Sequence, residues 1–283
     1  MTKTLKDKLI VVGATAVAIL IVVLVSFYGG LRMYGSWEDA RLYSTKISDG
    51  SCNIAVIPVM GTIVPYEGYW PAAEGGEEVE TTGEWIVSYL HAAEADPNIA
   101  GVLLKLDSYG GAASSAHAAA EALKRSSLPS VALVGEAAAS AAYLLATGAG
   151  TIIASPFSEI GSIGVTYSYL EQVEKNRAEG LHFVELNSAP YKDTGDPNKP
   201  LTEGEIALYE RDLKIFHDFF VQVVAKNRDL SAAQVGTLAD GSTYPGEYAL
   251  ENGLVDALGD EEAARQWFAQ KLQTSPEYVH YCE

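Results

Sequence analysis

Between Ile99 and Tyr143 the chain twice passes from branched apolar residues into a run of small ones, and this alternation narrows the folds open to it. Ile99-Ala-Gly-Val-Leu-Leu-Lys-Leu-Asp-Ser-Tyr-Gly-Gly111 reads as a buried strand ended by paired glycines, which let the backbone turn through positive φ. Residues 112–125 follow as a helix. Ser130-Val-Ala-Leu-Val-Gly-Glu136 is a second short strand, leading into a helix whose first turn carries Ser140. The segment 181–187, Leu-His-Phe-Val-Glu-Leu-Asn, also reads as a strand, and Lys192 follows it on a loop. Strands alternating with helices indicate an α/β domain. The chain's 283 residues, 48% of them hydrophobic, suffice for one such domain with a substantial core.

The order of these elements is also the order a hydrolytic site needs. A serine hydroxyl is a poor nucleophile near neutral pH and requires a base to take its proton. No histidine occurs between His117 and His182, and none of the five sits in a recognisable catalytic context. A lysine can serve instead if burial lowers its pKa enough to release the proton. Ser140 and Lys192 are therefore the candidate nucleophile and base. Backbone N–H groups at the Gly110-Gly111 turn are candidate oxyanion donors, and the first turn of the helix carrying Ser140 favours a developing alkoxide. Ser162, in Glu159-Ile-Gly-Ser-Ile-Gly-Val165, is placed to hold the lysine amine by a hydrogen bond. Each feature also has an ordinary reading: a small residue at a helix contact, a solvated lysine, a strand-to-helix turn and a polar residue in a Gly-rich turn. Local sequence leaves both readings open.

Five ordered blocks, Leu-Asp-Ser-Tyr-Gly-Gly (106–111), Ala-Ala-Ser-Ala-Ala-Tyr (138–143), Ile-Gly-Ser-Ile-Gly-Val (160–165), the Tyr-Lys-Asp loop and Ala-Asp-Gly-Ser-Thr-Tyr…Leu-Val-Asp-Ala-Leu-Gly (239–259), carry a family resemblance. Over residues 53–259 the chain resembles the S49 serine peptidases of the signal peptide peptidase A type, in their half-length form. The resemblance implies a ClpP/crotonase-like α/β fold, Ser140 as nucleophile, Lys192 as general base, Gly110 and Gly111 in the oxyanion hole and Ser162 supporting the lysine. It also implies a homo-oligomer in which Ser and Lys of one site can come from adjacent protomers, acting without a cofactor on signal-peptide remnants or membrane-protein segments. Tyr109 stands where the family usually has Pro, and Ala141 and Ala142 where it has Gly. These departures bear on pocket shape and turnover. An NfeD-like membrane-bound ClpP-class peptidase with a dedicated membrane-protein target, and a catalytically weak scaffold binding apolar segments, remain alternatives.

Residues 9–28 contain no charge, and about 20 apolar residues at 1.5 Å each cross a bilayer core of roughly 30 Å. Lys3, Lys6 and Lys8 precede this run, so residues 1–31 are expected to be a cytoplasmic N-terminus and transmembrane anchor, with the catalytic domain outside the cytoplasm. Residues 32–52 then form a linker, 53–272 the peptidase domain and 273–283 a C-terminal tail. The net charge of −18 argues against a nucleic-acid partner. The acidic stretch 74–84 reads as a solvated loop. Cys52 and Cys282 lack metal-ligand spacing, so no metal is expected; they either pair or remain free thiols. Thr202-Glu-Gly-Glu opens a long helix to Arg228 with an apolar face, and 231–238, 246–252 and 261–272 read as further helices.

Overall fold

Three strands carry the centre of the fold: β1 (Ile54–Val64), β3 (Gly101–Gly111) and β4 (Ser130–Ala139), all parallel. Val102, Leu103, Leu104 and Leu106 of β3 are all buried, a nearly continuous apolar run suited to a parallel strand covered on both faces. The computed structural model describes residues 46–66 and 79–282; the expected anchor and residues 32–45 of the expected linker lie outside them. Among the described residues no helix is long and apolar enough to cross a membrane. Residues 48–283 group as one unit.

Both β1 and β4 change neighbours along their length. The start of β1 pairs with β9 (Tyr281–Cys282), and its end with β2 (Glu80–Thr82). The start of β4 pairs with β5 (Thr151–Ala154), and its end with β6 (Glu159–Gly161). Beyond these lie β8 (Ala257–Leu258) on β5 and β7 (Thr243–Pro245), antiparallel to β6. Register shifts fall between Met60 and Thr62 and between Leu106 and Ser108. Such irregularities increase local twist, and here they lie just before the Gly110-Gly111 turn and the end of β4. The expected α/β class is thus observed.

Helices close the sheet with small residues at the tightest contacts. Thr82 caps α1 (Gly83–Ala95), which packs on α2 (Ala113–Arg125); α2 packs in turn on α3 (Ala141–Ala146). Ala116, Ala119 and Ala120 of α2 are buried, and a Cβ on Gly148 would come within 2.5 Å of the Ala120 carbonyl oxygen. That approach requires glycine at 148. All six residues of α3 are buried, and the Tyr143 hydroxyl donates to the Leu254 carbonyl at 2.8 Å. Phe268 of α8 (Glu261–Lys271) fills a cluster with Ile54, Leu103, Val131 and Ile153, one from each of β1, β3, β4 and β5; its full burial contributes roughly 2–3 kcal/mol.

The long helix expected from Thr202 is α5 (Glu203–Arg228), following the short α4 (Val173–Ala178). Thr202 and Glu205 form a reciprocal capping box, and Asp229 ends the helix in the left-handed conformation. The further helices are α6 (Ala232–Leu238) and α7 (Gly246–Glu251). Arg228 donates to both oxygens of Asp256 at 2.8 and 2.7 Å, and Asp256 also accepts from the Ile152 N–H at 2.7 Å. The end of α5 is thereby tied to β5.

One open alternative closes, and the readings of the tail, the acidic stretch and the third strand change. Cys52 and Cys282 are disulfide-bonded, and the tail is drawn into the sheet through β9 beside β1. Of the acidic stretch 74–84, residues 79–84 are described, and Glu80–Thr82 are β2 rather than loop. The third expected strand is not one: residues 181–187 belong to no strand and are all exposed, Leu186 at 91%. Their alternation suits a strand, but a strand exists only with a ladder partner, and this segment pairs with no strand among the described residues.

Candidate active site

Ser140 occupies the junction where β4 becomes α3, with φ +52° and ψ −123°. A side chain in that region is strained, and the surroundings must hold it there. Its N–H donates to the Gly161 carbonyl at 2.7 Å, and its own carbonyl accepts the Leu144 N–H at 3.0 Å. Upstream, Asp107 Oδ1 accepts the N–H groups of Glu136 and Ala137, fixing the irregular part of β4. The Ser140 hydroxyl does not cap α3. With only six residues, α3 supplies less dipole than expected from a longer helix.

The glycine turn lies directly against this serine. Gly110 and Gly111 have φ of +110° and +139°. A Cβ on Gly110 would sit 2.9 Å from the Ala141 nitrogen and 3.0 Å from Ser140 Cβ, so the missing side chain is what allows the approach. The Gly110 N–H donates to Ser108 Oγ at 3.1 Å, while the buried Ser108 hydroxyl donates to the Gly61 carbonyl. An oxyanion at Gly110 would have to compete with Ser108.

Ser162 also has positive φ, +48°. Its N–H donates to the Ser242 carbonyl at 2.8 Å, and its hydroxyl donates to the Gly241 carbonyl at 3.0 Å. The hydroxyl proton is engaged, leaving the oxygen to act as an acceptor, the role needed toward an ammonium or amine N–H.

Gly111, Ser140 and Ser162 line one cleft of about 1040 Å³. Its remaining wall is mainly apolar, with Leu144, Val165 and the α5 residues Ile215, Phe216, Phe219 and Phe220. Two residues the sequence reading did not place there are His117 and His217. The His117 ring meets Phe219 edge-on at 5.1 Å, and His217 Nε2 lies 2.8 Å from the Ala239 carbonyl oxygen. The apolar periodicity of α5 signalled a packed face, but not that part of it would face the serine. Asp240 stands at the same cleft, its carboxyl held below the ordinary range chiefly by hydrogen bonds from Ser242.

Lys192 is placed differently. It is exposed, in the turn 190–195, with its N–H donating to the Ala189 carbonyl at 3.2 Å, and it is not among the residues lining the cleft. One chain therefore brings together Ser140, Ser162 and Gly111, with Gly110 alongside, and leaves Lys192 on its surface.

The sequence pattern of Peptidase family S49 matches residues 122–275, a span that includes β4, Ser140, Ser162 and Lys192. The chain belongs to this family. It is therefore a serine peptidase of the signal peptide peptidase A type. It is 30% identical to the putative protease MJ0651 of Methanocaldococcus jannaschii over 93% of its own length and 84% of that protein. To Protease 4 of Salmonella typhi it is 29% identical over 83% of its length, and to the putative signal peptide peptidase SppA of Enterococcus faecium 32% identical over 69%. The matches span 39% and 58% of those two proteins. Among solved structures, a point mutant of ClpP1 from Listeria monocytogenes matches with a TM-score of 0.48 at 12% identity, covering 72% of this chain and 91% of that one.

Proposed function

We propose that this S49 peptidase is a membrane-anchored, homo-oligomeric endopeptidase that cleaves apolar peptides, such as signal-peptide remnants, with a Ser140–Lys192 dyad assembled between protomers. The observation that carries the reading is the split just described: Ser140 stands strained at an apolar cleft beside Ser162 and the glycine turn, while Lys192 is exposed outside that cleft's lining. In the mechanism, neutral Lys192 of one protomer accepts the Ser140 proton as Oγ attacks the scissile carbonyl. Backbone N–H groups of the glycine turn hold the oxyanion. The lysine then returns a proton to the leaving amine, and water hydrolyses the acyl-enzyme by the same route. Leu144, Val165, Phe216 and Phe219 suit apolar side chains around the scissile bond. Anchoring through residues 9–28 places the domain outside the cytoplasm, where the Cys52–Cys282 bond persists.

Two measurements test this reading. A fluorophosphonate probe should label wild-type protein at Ser140 and leave Ser140→Ala unlabelled. Ser140→Ala and Lys192→Ala chains, each inactive alone, should recover hydrolysis when co-assembled, because some interfaces pair an intact serine with an intact lysine. Verified mixed oligomers that stay inactive would contradict the shared site.

A further inference from the structure

The loop bearing Lys192 is closed at its base by a second lysine. Glu185 and Lys199 stand seven residues to either side of Lys192. Lys199 Nζ lies 3.3 Å from Glu185 Oε2 and 2.9 Å from Glu205 Oε1, so one ammonium joins both ends of the loop to the first turn of α5. The Lys199 side chain is 14% exposed and that of Glu205 1%. Glu205 cannot swing away freely, because its other oxygen accepts the Thr202 N–H at 2.8 Å and the Thr202 hydroxyl at 2.9 Å as part of the helix cap. These Thr202 contacts and the Lys199 ammonium hold the Glu205 carboxyl down to about 2, leaving it charged near neutral pH.

Further contacts hold the same loop. Gly195 lies under Tyr167 and Tyr209, where a Cβ would come within 2.6 and 2.3 Å of the two hydroxyl oxygens. Those rings stack with centroids 4.0 Å apart and their hydroxyls hydrogen-bond at 2.9 Å. Asn176 Nδ2 donates to Asn198 Oδ1 at 2.7 Å. The base of the loop is thus fixed while Lys192 is presented outward.

We infer that Lys199, held between Glu185 and Glu205, is a clamp that positions Lys192 for a neighbouring protomer's Ser140. Glu185, Lys199 and Glu205 are positioning residues and touch no reacting atom. The inference rests on Lys192 being the base. Loosening the clamp leaves the lysine present but lets the loop sample other placements, and a misplacement of 1 Å can cost about 10²-fold in rate.

The test places Glu205→Gln in one partner of a complementing mixture. Glutamine retains the capping-box geometry but removes the charge that holds Lys199. On the Ser140→Ala chain, which donates the lysine, it should cut recovered kcat about 10²-fold with KM nearly unchanged. On the Lys192→Ala chain, which donates the serine, it should leave the recovered activity near that of the parent mixture. Equal loss from both placements, with native mass spectrometry showing equal assembly, would mean the cluster only supports the fold and would overturn the inference, as would no loss from either. If Glu205→Gln fails to assemble, Glu185→Gln removes the more exposed leg without touching the cap, and the same outcomes decide. If the parent mixture shows no recovery, the shared-site reading fails on its own. The clamp is then judged as positioning Lys192 for Ser140 of its own chain, in uniform Glu205→Gln protein assayed well below its thermal midpoint, where lowered kcat at unchanged KM sustains it and unchanged kcat overturns it.

Discussion

Replacing Ser140 with glycine should stabilise the domain relative to replacing it with alanine, although both variants lose the nucleophile. Alanine keeps a Cβ at φ +52°, ψ −123°, so the backbone strain remains; glycine removes it. A residue held in such a sparsely populated region costs about 1–3 kcal/mol. Glycine gives back roughly 0.5–1 kcal/mol through the greater freedom of the unfolded chain. The net expectation is that Ser140→Gly exceeds Ser140→Ala by about 1 kcal/mol, or about 2–4 °C in thermal midpoint for a domain of this size. Urea titration of both variants at matched oligomeric state, with the disulfide intact, measures the difference, and loss of hydrolysis in each confirms that the comparison concerns the scaffold alone. The reasoning is refuted if Gly is as unstable as Ala or less stable, because the serine's conformation would then carry no strain. A positive result would show that the local fold is held against its own backbone preference at the position where an exposed hydroxyl is needed.

Gly111→Ala should cost more than about 3 kcal/mol or prevent folding, since its Cβ would lie 2.1 Å from the Ile63 carbonyl oxygen at φ +139°, beyond the usual range for a point substitution. Gly180→Ala, at φ +75° with nothing within 4 Å, should cost only about 1–2 kcal/mol, and denaturant midpoints of the pair separate clash from strain. Reduction of Cys52–Cys282, which closes a separation of 230 residues, should lower stability by about 5 kcal/mol on the loop-entropy relation; a change below about 1 kcal/mol in matched oxidised and reduced samples would reject that account. Glu205 has a folded pKa of about 2, below its ordinary value of 4.5, so its stabilising contribution is complete above about pH 4.5 and is lost as pH falls through about 2. Glu205→Gln should therefore flatten the acid limb of the stability-versus-pH curve by up to one proton, and identical limbs in the two proteins would contradict the assignment.

The elements legible in the sequence are those whose signals are local. The apolar run of β3 ends at paired glycines, and the Thr202 to Glu205 spacing announces the cap of α5; both appear within a residue of expectation. Ser140 could be singled out because a strand runs into a helix at that point, but its positive φ could not, since serine carries no such preference and the Gly161 contact that helps hold it comes from a distant element. The cleft wall was hidden for a related reason: periodicity reports that one face of α5 is apolar, not whether that face meets the core or lines an opening over the serine. The disulfide was invisible as geometry, because nothing near Cys52 or Cys282 encodes the parallel pairing of β9 with β1 that brings their Cα atoms to 5.2 Å.

Residues 181–187 show the opposite failure, in which a strong local signal produced no strand. Leu-His-Phe-Val-Glu-Leu-Asn has the alternation and branched side chains of a strand, yet the segment is exposed and its end is secured by charge, through Glu185 to Lys199. Strand character is a property of a pair of segments, so sequence can show readiness to pair without showing the partner. Ion pairs of the Glu185–Lys199–Glu205 kind leave still less trace, because charged residues 6, 14 and 20 positions apart, on separate segments, are not brought together by any one helix or strand. The cluster becomes visible only when the turn before α5 brings Lys199 back onto the helix cap. A loop presenting Lys192 is thus specified by contacts at its base rather than by its own seven-residue flanks, which is why the residues around Lys192 alone read equally well as a solvated surface lysine.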